Sequence, residues 1–474
     1  MKKKIMTMLL ILCGSIGVAS AQSKTKATGA IVELQYPVKV DSMWVHDPSK
    51  EDVEMVKPNQ QGRFVLNFKP SFPRVITVGA EVPKRWRNDL HLESGDHIQM
   101  VIDAAGNIKF SGKGAMKQEI LYEDKKREIG LWDKADFEKM SGNDLLKLFT
   151  QISDASINFL AANKQKVSPA FYKDQMVNFV YAKKSKAFGT PGTLRIYGKR
   201  KLSTVIPDGY WDLDKDVKQD DALLSNKTYS NFMTYTYVDF LRSKVLAGQG
   251  MLDSTLSIEK RTAMNYELIE KHFTGKLRSL ALGNALQSAF NRAKDVETFK
   301  PLLEKYLAKY ALGEDGKKTL TSYDNYAKTN VGKVPPHFVL TDENGKDVEM
   351  KDFAGKVVYM DFWASWCGPC RYEMKNGSPK LHAQFKDNKN VVFLYVSIDD
   401  RSDLWKKAIA EDKIEGVHLL SAGGFKSPVG RAFNINGVPH YIIIGKDGKI
   451  FDNNAPRPSQ DITVTKINEA LGAK

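Results

Sequence analysis

Val358-Tyr359-Met360-Asp361-Phe362-Trp363-Ala364-Ser365-Trp366-Cys367-Gly368-Pro369-Cys370 joins an apolar run, broken by one carboxylate, to two cysteines three residues apart. The run has the length and composition of a central strand buried on both faces. Gly368 and Pro369 suit the first turn of a helix, where a proline forfeits no hydrogen bond. The segment therefore predicts a strand, a short loop, and a helix that begins at the cysteines. Cys367 would sit at the positive end of that helix, which favours a thiolate and lowers its pKa. Cys370, one turn in, would be buried yet able to reach Cys367. A zinc half-site is the competing reading. It needs four ligands, and no second C-x-x-C or C-x-x-H is present to complete them. A peroxidatic cysteine would stand alone in its own loop, without a partner across Gly-Pro.

Outward from this core the chain alternates strand and helix. Residues 357–363, 391–398 and 441–445 are apolar runs of strand length. Helical stretches are expected after Cys370, at 401–411 and at 461–471. Lys446-Asp447-Gly448-Lys449 reads as a tight hairpin turn into Ile450-Phe451. The expected fold class here, over 333–474, is α/β with a mixed central sheet flanked by helices.

The N-terminus sets the compartment expected. Lys2, Lys3 and Lys4 precede an apolar stretch over residues 5–18, and Ala19-Ser20-Ala21 offers small residues to a signal peptidase. The stretch is shorter than the roughly 18 residues of a spanning helix, so residues 1–21 read as a cleavable signal peptide and the location as periplasmic. A lipid anchor at Cys13 is not expected, because Leu12 stands where that processing requires a small residue. Cleavage leaves 453 residues, enough for two or three domains. It also leaves Cys367 and Cys370 as the sole cysteines, with none for structural staples, so the pair reads as chemistry.

Net charge is +15, or +12 without the three signal lysines. Residues 331–474 carry +2 of it and 115–330 carry +8. Lys125-Lys126-Arg127 and Lys199-Arg200-Lys201 are too short for a nucleic-acid-binding face, and solvated surface is the expectation. Contact of the basic middle region with anionic lipid or an acidic partner stays open.

Three further regions precede the catalytic segment. Residues 22–114 read as a small β-rich, antiparallel sandwich or barrel, with short strands at 30–34, 63–68, 75–78 and 98–102 between turn signals. Residues 115–312 read as mostly helical: Val296, Phe299, Leu303, Tyr306 and Tyr310 mark one helix face, with a loop expected over 190–209. Residues 313–332, with three glycines and several lysines, read as a linker ahead of Pro335-Pro336.

The segment ending in Trp366-Cys367-Gly368-Pro369-Cys370 resembles the active-site strand and helix start of thioredoxins. The wider region from about Val331 resembles the exported TlpA/ResA-type branch. It carries Phe338-x-Leu340-x-Asp342, Asn344-Gly345-Lys346 and Asp352-Phe353-x-Gly355-Lys356. The match covers roughly 140 residues, under a third of the chain. The resemblance implies a redox-active disulfide Cys367–Cys370 and a buried carboxylate, Asp361, that relays the proton of Cys370. It implies Glu373 near the dithiol, where a solvated helix carboxylate is the alternative. It implies a cis-proline at Val438-Pro439 that offers its backbone to substrate, and a covering Trp366. Lys375 departs from the proline common in the family, and Asn376-Gly377-Ser378-Pro379 interrupts what should be one helix.

Gly-Pro between the cysteines is the reducing thioredoxin pair, with potentials near about −270 mV against roughly −120 mV for strong oxidants. Thiol–disulfide exchange in the reducing direction is expected, on disulfide-containing exported proteins. Nothing in the sequence binds NADPH or flavin, so no cofactor is expected, and electrons would come from a membrane donor. The competing reading is an envelope binding protein whose thioredoxin-like part is an auxiliary redox module.

Overall fold

A computed structural model describes residues 29–48, 53–71, 73–80 and 86–473. The proposed signal peptide and Cys13 lie outside these. The chain divides into two compact units, one of residues 1–135 and 154–176 and the other of 136–153 and 177–474.

The first unit contains β1 (Ala30–Gln35), β2 (Met43–His46), β3 (Glu54–Val56), β4 (Arg63–Phe68), β5 (Arg74–Ala80), β6 (Trp86–Leu92), β7 (His97–Ile102) and β8 (Ile108–Lys113). Among the described residues they form two four-stranded sheets, in the orders β4-β1-β7-β8 and β3-β2-β5-β6. Alternate residues of both, such as Val32, Ile98 and Met100 against Ile76, Val78 and Leu90, share one core, which makes a sandwich. The sandwich is not wholly antiparallel: β1 and β7 run parallel, since β1 pairs with a strand far along the chain.

The unit does not stop at Gly114, because α1 (Ala115–Lys134) is bonded back onto it. Lys117 Nζ, nearly buried, donates to Glu93 (2.6 Å) and Asp96 (2.7 Å). Gln118 exchanges hydrogen bonds with the backbone of His91. Burial works against ionised Glu93, but hydrogen bonds from Lys117 and Ser168 outweigh it and hold the carboxyl below its ordinary range.

The helical elements that follow are α2 (Gly142–Ala162), α3 (Pro169–Tyr197), α4 (Lys227–Asn231), α5 (Tyr237–Gly248), α6 (Ile258–His272), α7 (Gly275–Phe290), α8 (Lys300–Tyr310) and α9 (Glu314–Ala327). The faces of α5 to α9 in the second unit close on a core that includes Phe240, Ile269, Leu282, Leu303 and Tyr306. Two sequence expectations fail here. The loop expected from 190 begins only after Tyr197: α3 runs through Pro191, helped by Thr190 and Thr193 hydroxyls that bond carbonyls four residues back. The linker of 313–332 is mostly α9, whose Gly316, Thr319 and Tyr323 are buried at helical spacing. Gly316 is there for space, since a Cβ would lie 1.9 Å from the Tyr310 carbonyl oxygen.

The C-terminal part of the second unit holds β9 (Val339–Asp342), β10 (Asp347–Glu349), β11 (Val357–Trp363), β12 (Val391–Ser397), β13 (Val417–Leu420), β14 (His440–Ile444) and β15 (Ile450–Asp452). They form a mixed seven-stranded sheet in the order β10-β9-β13-β12-β11-β14-β15. β11 is fully buried and central, parallel to β12 and antiparallel to β14. Helices α10 (Gly368–Asn376), α11 (Ser378–Gln384), α12 (Ser402–Asp412), α13 (Pro428–Ala432) and α14 (Ile462–Gly472) complete this α/β domain.

Its sheet edge is tied to the helices before it. Gly332 N donates to Ile450 O and Ile450 N to Lys333 O, both at 2.8 Å. Asn453 Nδ2 lies within hydrogen-bond reach of the carbonyls of Ala293, Lys294 and Thr329 (3.0–3.3 Å). Asn434 donates to Asn325 O (3.0 Å) and Asn436 to the Tyr326 hydroxyl (2.7 Å).

Candidate active site

Strand β11 ends at Trp363, and a three-residue loop leads to Cys367, the N-cap of α10. Asp399, buried after β12, fixes that loop by accepting from Ser365 N (2.8 Å), Ser365 Oγ (2.7 Å) and Ser397 Oγ (2.7 Å). Cys367 and Cys370 are joined by a disulfide, Cα to Cα 5.3 Å. Cys370 N points at Cys367 Sγ (3.1 Å), so the sulfur caps the helix and meets its positive end. Gly368 and Pro369 form the exposed first turn.

Helix α10 is clamped from its other side. Arg371 makes a two-pronged contact with Asp412 (2.5 and 2.7 Å), and Lys375 joins at 2.9 Å. Burial would raise the Asp412 carboxyl, but the two cations prevail and hold it below its usual range. Lys375, the departure from the family proline, thus has a partner. The interruption after Asn376 is also real: α10 gives way to α11 at Gly377. A Cβ on Gly377 would come within 2.6 Å of Ser459 N and 2.8 Å of Glu373 Oε2. The glycine lets those groups meet.

Glu373 is 3% exposed and accepts from Ser459 N (3.1 Å) and Ser459 Oγ (3.0 Å), with Arg457 at 3.8 Å. It is not a solvated helix carboxylate. Asp361 is fully buried in β11, and among the described residues neither oxygen has a hydrogen-bond partner. Burial first, and the nearby charge of Glu373 second, push its carboxyl well above the ordinary range. Its cross-strand neighbour Tyr395 packs in the cluster that contains both cysteines.

Asp361 pairs across the strands with Tyr395 on β12 and Tyr441 on β14. Both phenols, and that of Tyr359, are pushed up, mainly by burial and then by Asp361. Tyr359 donates to Pro456 O (2.7 Å), and Tyr395 pairs with His382 (3.0 Å). Tyr441 Oη, buried, has no partner among the described residues.

The peptide Val438–Pro439 is cis, and Val438 packs against the cluster that contains both cysteines. Trp366 is 45% exposed and meets Phe425 edge to face, centroids 6.1 Å apart. The sequence residues therefore converge: Cys367, Cys370, Asp361, Glu373 and Val438 share one locality, with Trp366, Gly368 and Pro369 at its surface. Sequence reading missed Asp399, Phe425, Ser459 and the tyrosines beside Asp361. The tyrosines alone left a signal, as polar residues inside apolar strands.

Comparison with known proteins places this geometry. A Redoxin family model matches residues 330–471. Over 134 residues the chain is 31% identical to the thiol-disulfide oxidoreductase ResA of Bacillus thuringiensis subsp. konkukian, spanning 27% of this chain and 75% of the relative. The chain belongs to the TlpA/ResA-type thiol-disulfide oxidoreductases of the thioredoxin superfamily. This oxidoreductase is also 29% identical over 127 residues to ResA of Bacillus subtilis, covering 25% and 64% of the two chains. Among solved structures, it is 34% identical to the thioredoxin domain of a thiol-disulfide oxidoreductase from Bacteroides vulgatus. That match covers 29% of this chain and 96% of that one, with a TM-score of 0.27.

Among the described residues of the oxidoreductase, no helix is long and apolar enough to cross a membrane. No group of three or more His, Cys, Asp or Glu among them could hold a metal ion.

Proposed function

We propose that this oxidoreductase reduces disulfides of exported proteins in the cell envelope, using electrons passed on by a membrane donor. The observation that carries the direction is Cys367-Gly368-Pro369-Cys370 at a helix start, after a strand that holds the buried Asp361, unpartnered among the described residues. In the reduced enzyme Cys367, favoured as thiolate, attacks one sulfur of the substrate disulfide and expels the other as thiolate. Cys370 gives its proton to Asp361 and attacks Cys367, releasing the second substrate thiolate and closing the Cys367–Cys370 bond. Two electrons pass to the substrate, and a donor dithiol restores them. Burial raises the Asp361 carboxyl, which makes its carboxylate a stronger base for this transfer. The exposed Trp366–Phe425 pair and the backbone at Val438 are the surfaces offered to an extended substrate.

Equilibration of the intact protein with thiol couples tests the direction. A potential near about −270 mV supports reduction, and one near about −120 mV refutes it. A Cys370→Ser variant expressed in cells should accumulate mixed disulfides through Cys367. Mass spectrometry of the trapped partners should return exported proteins. A trap filled only with cytosolic proteins would overturn the envelope assignment.

A further inference from the structure

The helical region of the second unit holds a cavity of about 640 Å³ between α3, α5, α6 and the segment around residues 200–211. Small-molecule sites span roughly 300–1,000 Å³. Part of the wall is aromatic, with Tyr210, Trp211 and Phe240 packed on one another at 4.9–5.8 Å between centroids.

The rest of the wall is unbalanced in charge. Arg195, Arg200, Lys201, Arg242 and Arg261 face only Asp239 and Asp253. Both carboxylates are occupied: Asp253 accepts from Ser203 N (3.1 Å) and Ser203 Oγ (2.5 Å), and Asp239 from Arg242 (2.7 Å). Arg200 is held by the Met140 carbonyl (2.6 Å) and Arg242 also by Asn265 (2.8 Å). No ion pair or hydrogen bond holds the guanidinium of Arg195 or Arg261 among the described residues. Arg261 is half-buried, and an adjoining hollow adds Arg292 beside Arg242 and Arg261. Burial and the charges of Arg292 and Arg242 hold the Arg261 guanidinium below its usual value, against only Asp239. Arginine does not shed its proton in proteins, so an anion is what would relieve this crowding.

A second observation points to the same place. Tyr235 and Thr236 line the cavity from a π-helical turn, Phe232–Thr236. Such widened turns are rare and concentrate at functional sites.

We propose that this cavity binds a small organic anion, its carboxylate or phosphate on Arg261 and Arg242 and its apolar body against Trp211 and Phe240. The site lies apart from the dithiol in sequence and uses none of its residues. Arginine's planar fork matches either anionic group.

The test is fluorescence titration of the intact chain with 8-anilinonaphthalene-1-sulfonate, an aromatic anion. Saturable binding is expected, and Arg261→Gln should weaken it about tenfold or more, the loss of a charged hydrogen bond. Arg195→Gln, at an exposed position that leaves the fold intact, should weaken it in the same direction. Neutral N-phenyl-1-naphthylamine should bind far less well. Phenylacetate and phenyl phosphate should compete, and the stronger competitor names the anionic group. Disulfide reduction with dithiothreitol should be unchanged in both variants. The proposal is overturned by non-saturable binding, by equal binding of the neutral dye, by failure of both competitors, or by wild-type affinity in both Arg195→Gln and a folded Arg261→Gln.

Discussion

Replacing Asp361 with asparagine should make the protein more stable and less active, and the stability gain should depend on pH in a fixed sense. Asp361 is fully buried, its two oxygens unpartnered among the described residues, and its carboxyl pushed up by burial and then by Glu373. The folded state therefore keeps a proton that the unfolded chain releases near about pH 4. Above that pH the unfolded form binds fewer protons, so stability falls as pH rises until the native carboxyl ionises. Each unit of this window costs wild type about 1.4 kcal/mol, a loss that Asp361→Asn escapes. The two proteins should match near pH 3 and diverge upward. Urea denaturation of the oxidised forms at several pH values, followed by tryptophan fluorescence, reads the gap. With slopes of about 1–3 kcal/mol per M, one pH unit moves the midpoint apart by roughly 0.5–1.4 M. Turnover should fall by about a hundredfold at neutral pH, the low end of proton-transfer contributions. An Asp361→Asn protein that is less stable than wild type across pH 4–7, or that keeps full activity, would refute the argument.

Glu373→Gln removes the charge that helps raise Asp361 while leaving an acceptor for Ser459. The limb of the pH–activity profile set by Asp361 should move to lower pH; an unmoved limb would show that Glu373 is structural only. Gly377→Ala forces a methyl within 2.6 Å of Ser459 N, and should cost about 1–3 kcal/mol in urea denaturation, as overpacking does. Lys117→Met strands Glu93 and Asp96 in the sandwich unit and should cost that unit about 3–5 kcal/mol, seen as a separate early transition in calorimetry. Because Glu93 is held below its ordinary range, its contribution is present at neutral pH and should disappear as pH falls through its native pKa, measured as acid-induced loss of the sandwich's strand signal.

The catalytic strand and helix start were legible because their information is local. Apolar residues 357–363, Gly-Pro in a first turn and two cysteines one turn apart are all written in consecutive positions. The break at Gly377 was visible too. Its reason was not, since Ser459 lies 86 positions from Glu373. Burial of Glu373 and the isolation of Asp361 follow from strand pairing and helix packing, which no spacing rule encodes. Helix α9 was misread because glycine and lysine weigh towards a linker. Yet Gly316, Thr319 and Tyr323 recur at helical spacing, and tertiary contact with Tyr310 outweighed propensity. Pro191 misled in the same way within α3. Of the sandwich, the strands of strict alternation were legible, whereas Met43–His46 and Glu54–Val56 are too short to carry a period.

The bonds from Asn434, Asn436 and Asn453 to the helical region bear on how a truncated enzyme would behave. Asn436 stands two residues before Val438, so the neighbouring helices hold the approach to Pro439 before any substrate arrives. A fragment beginning at residue 331 would keep every catalytic group and lose those anchors. It would have to order the approach at the moment of binding, at an entropic cost of about 1–2 kcal/mol for each residue fixed. A weaker grip by such a fragment would then measure the restlessness of a loop, even if the helices never touch a substrate.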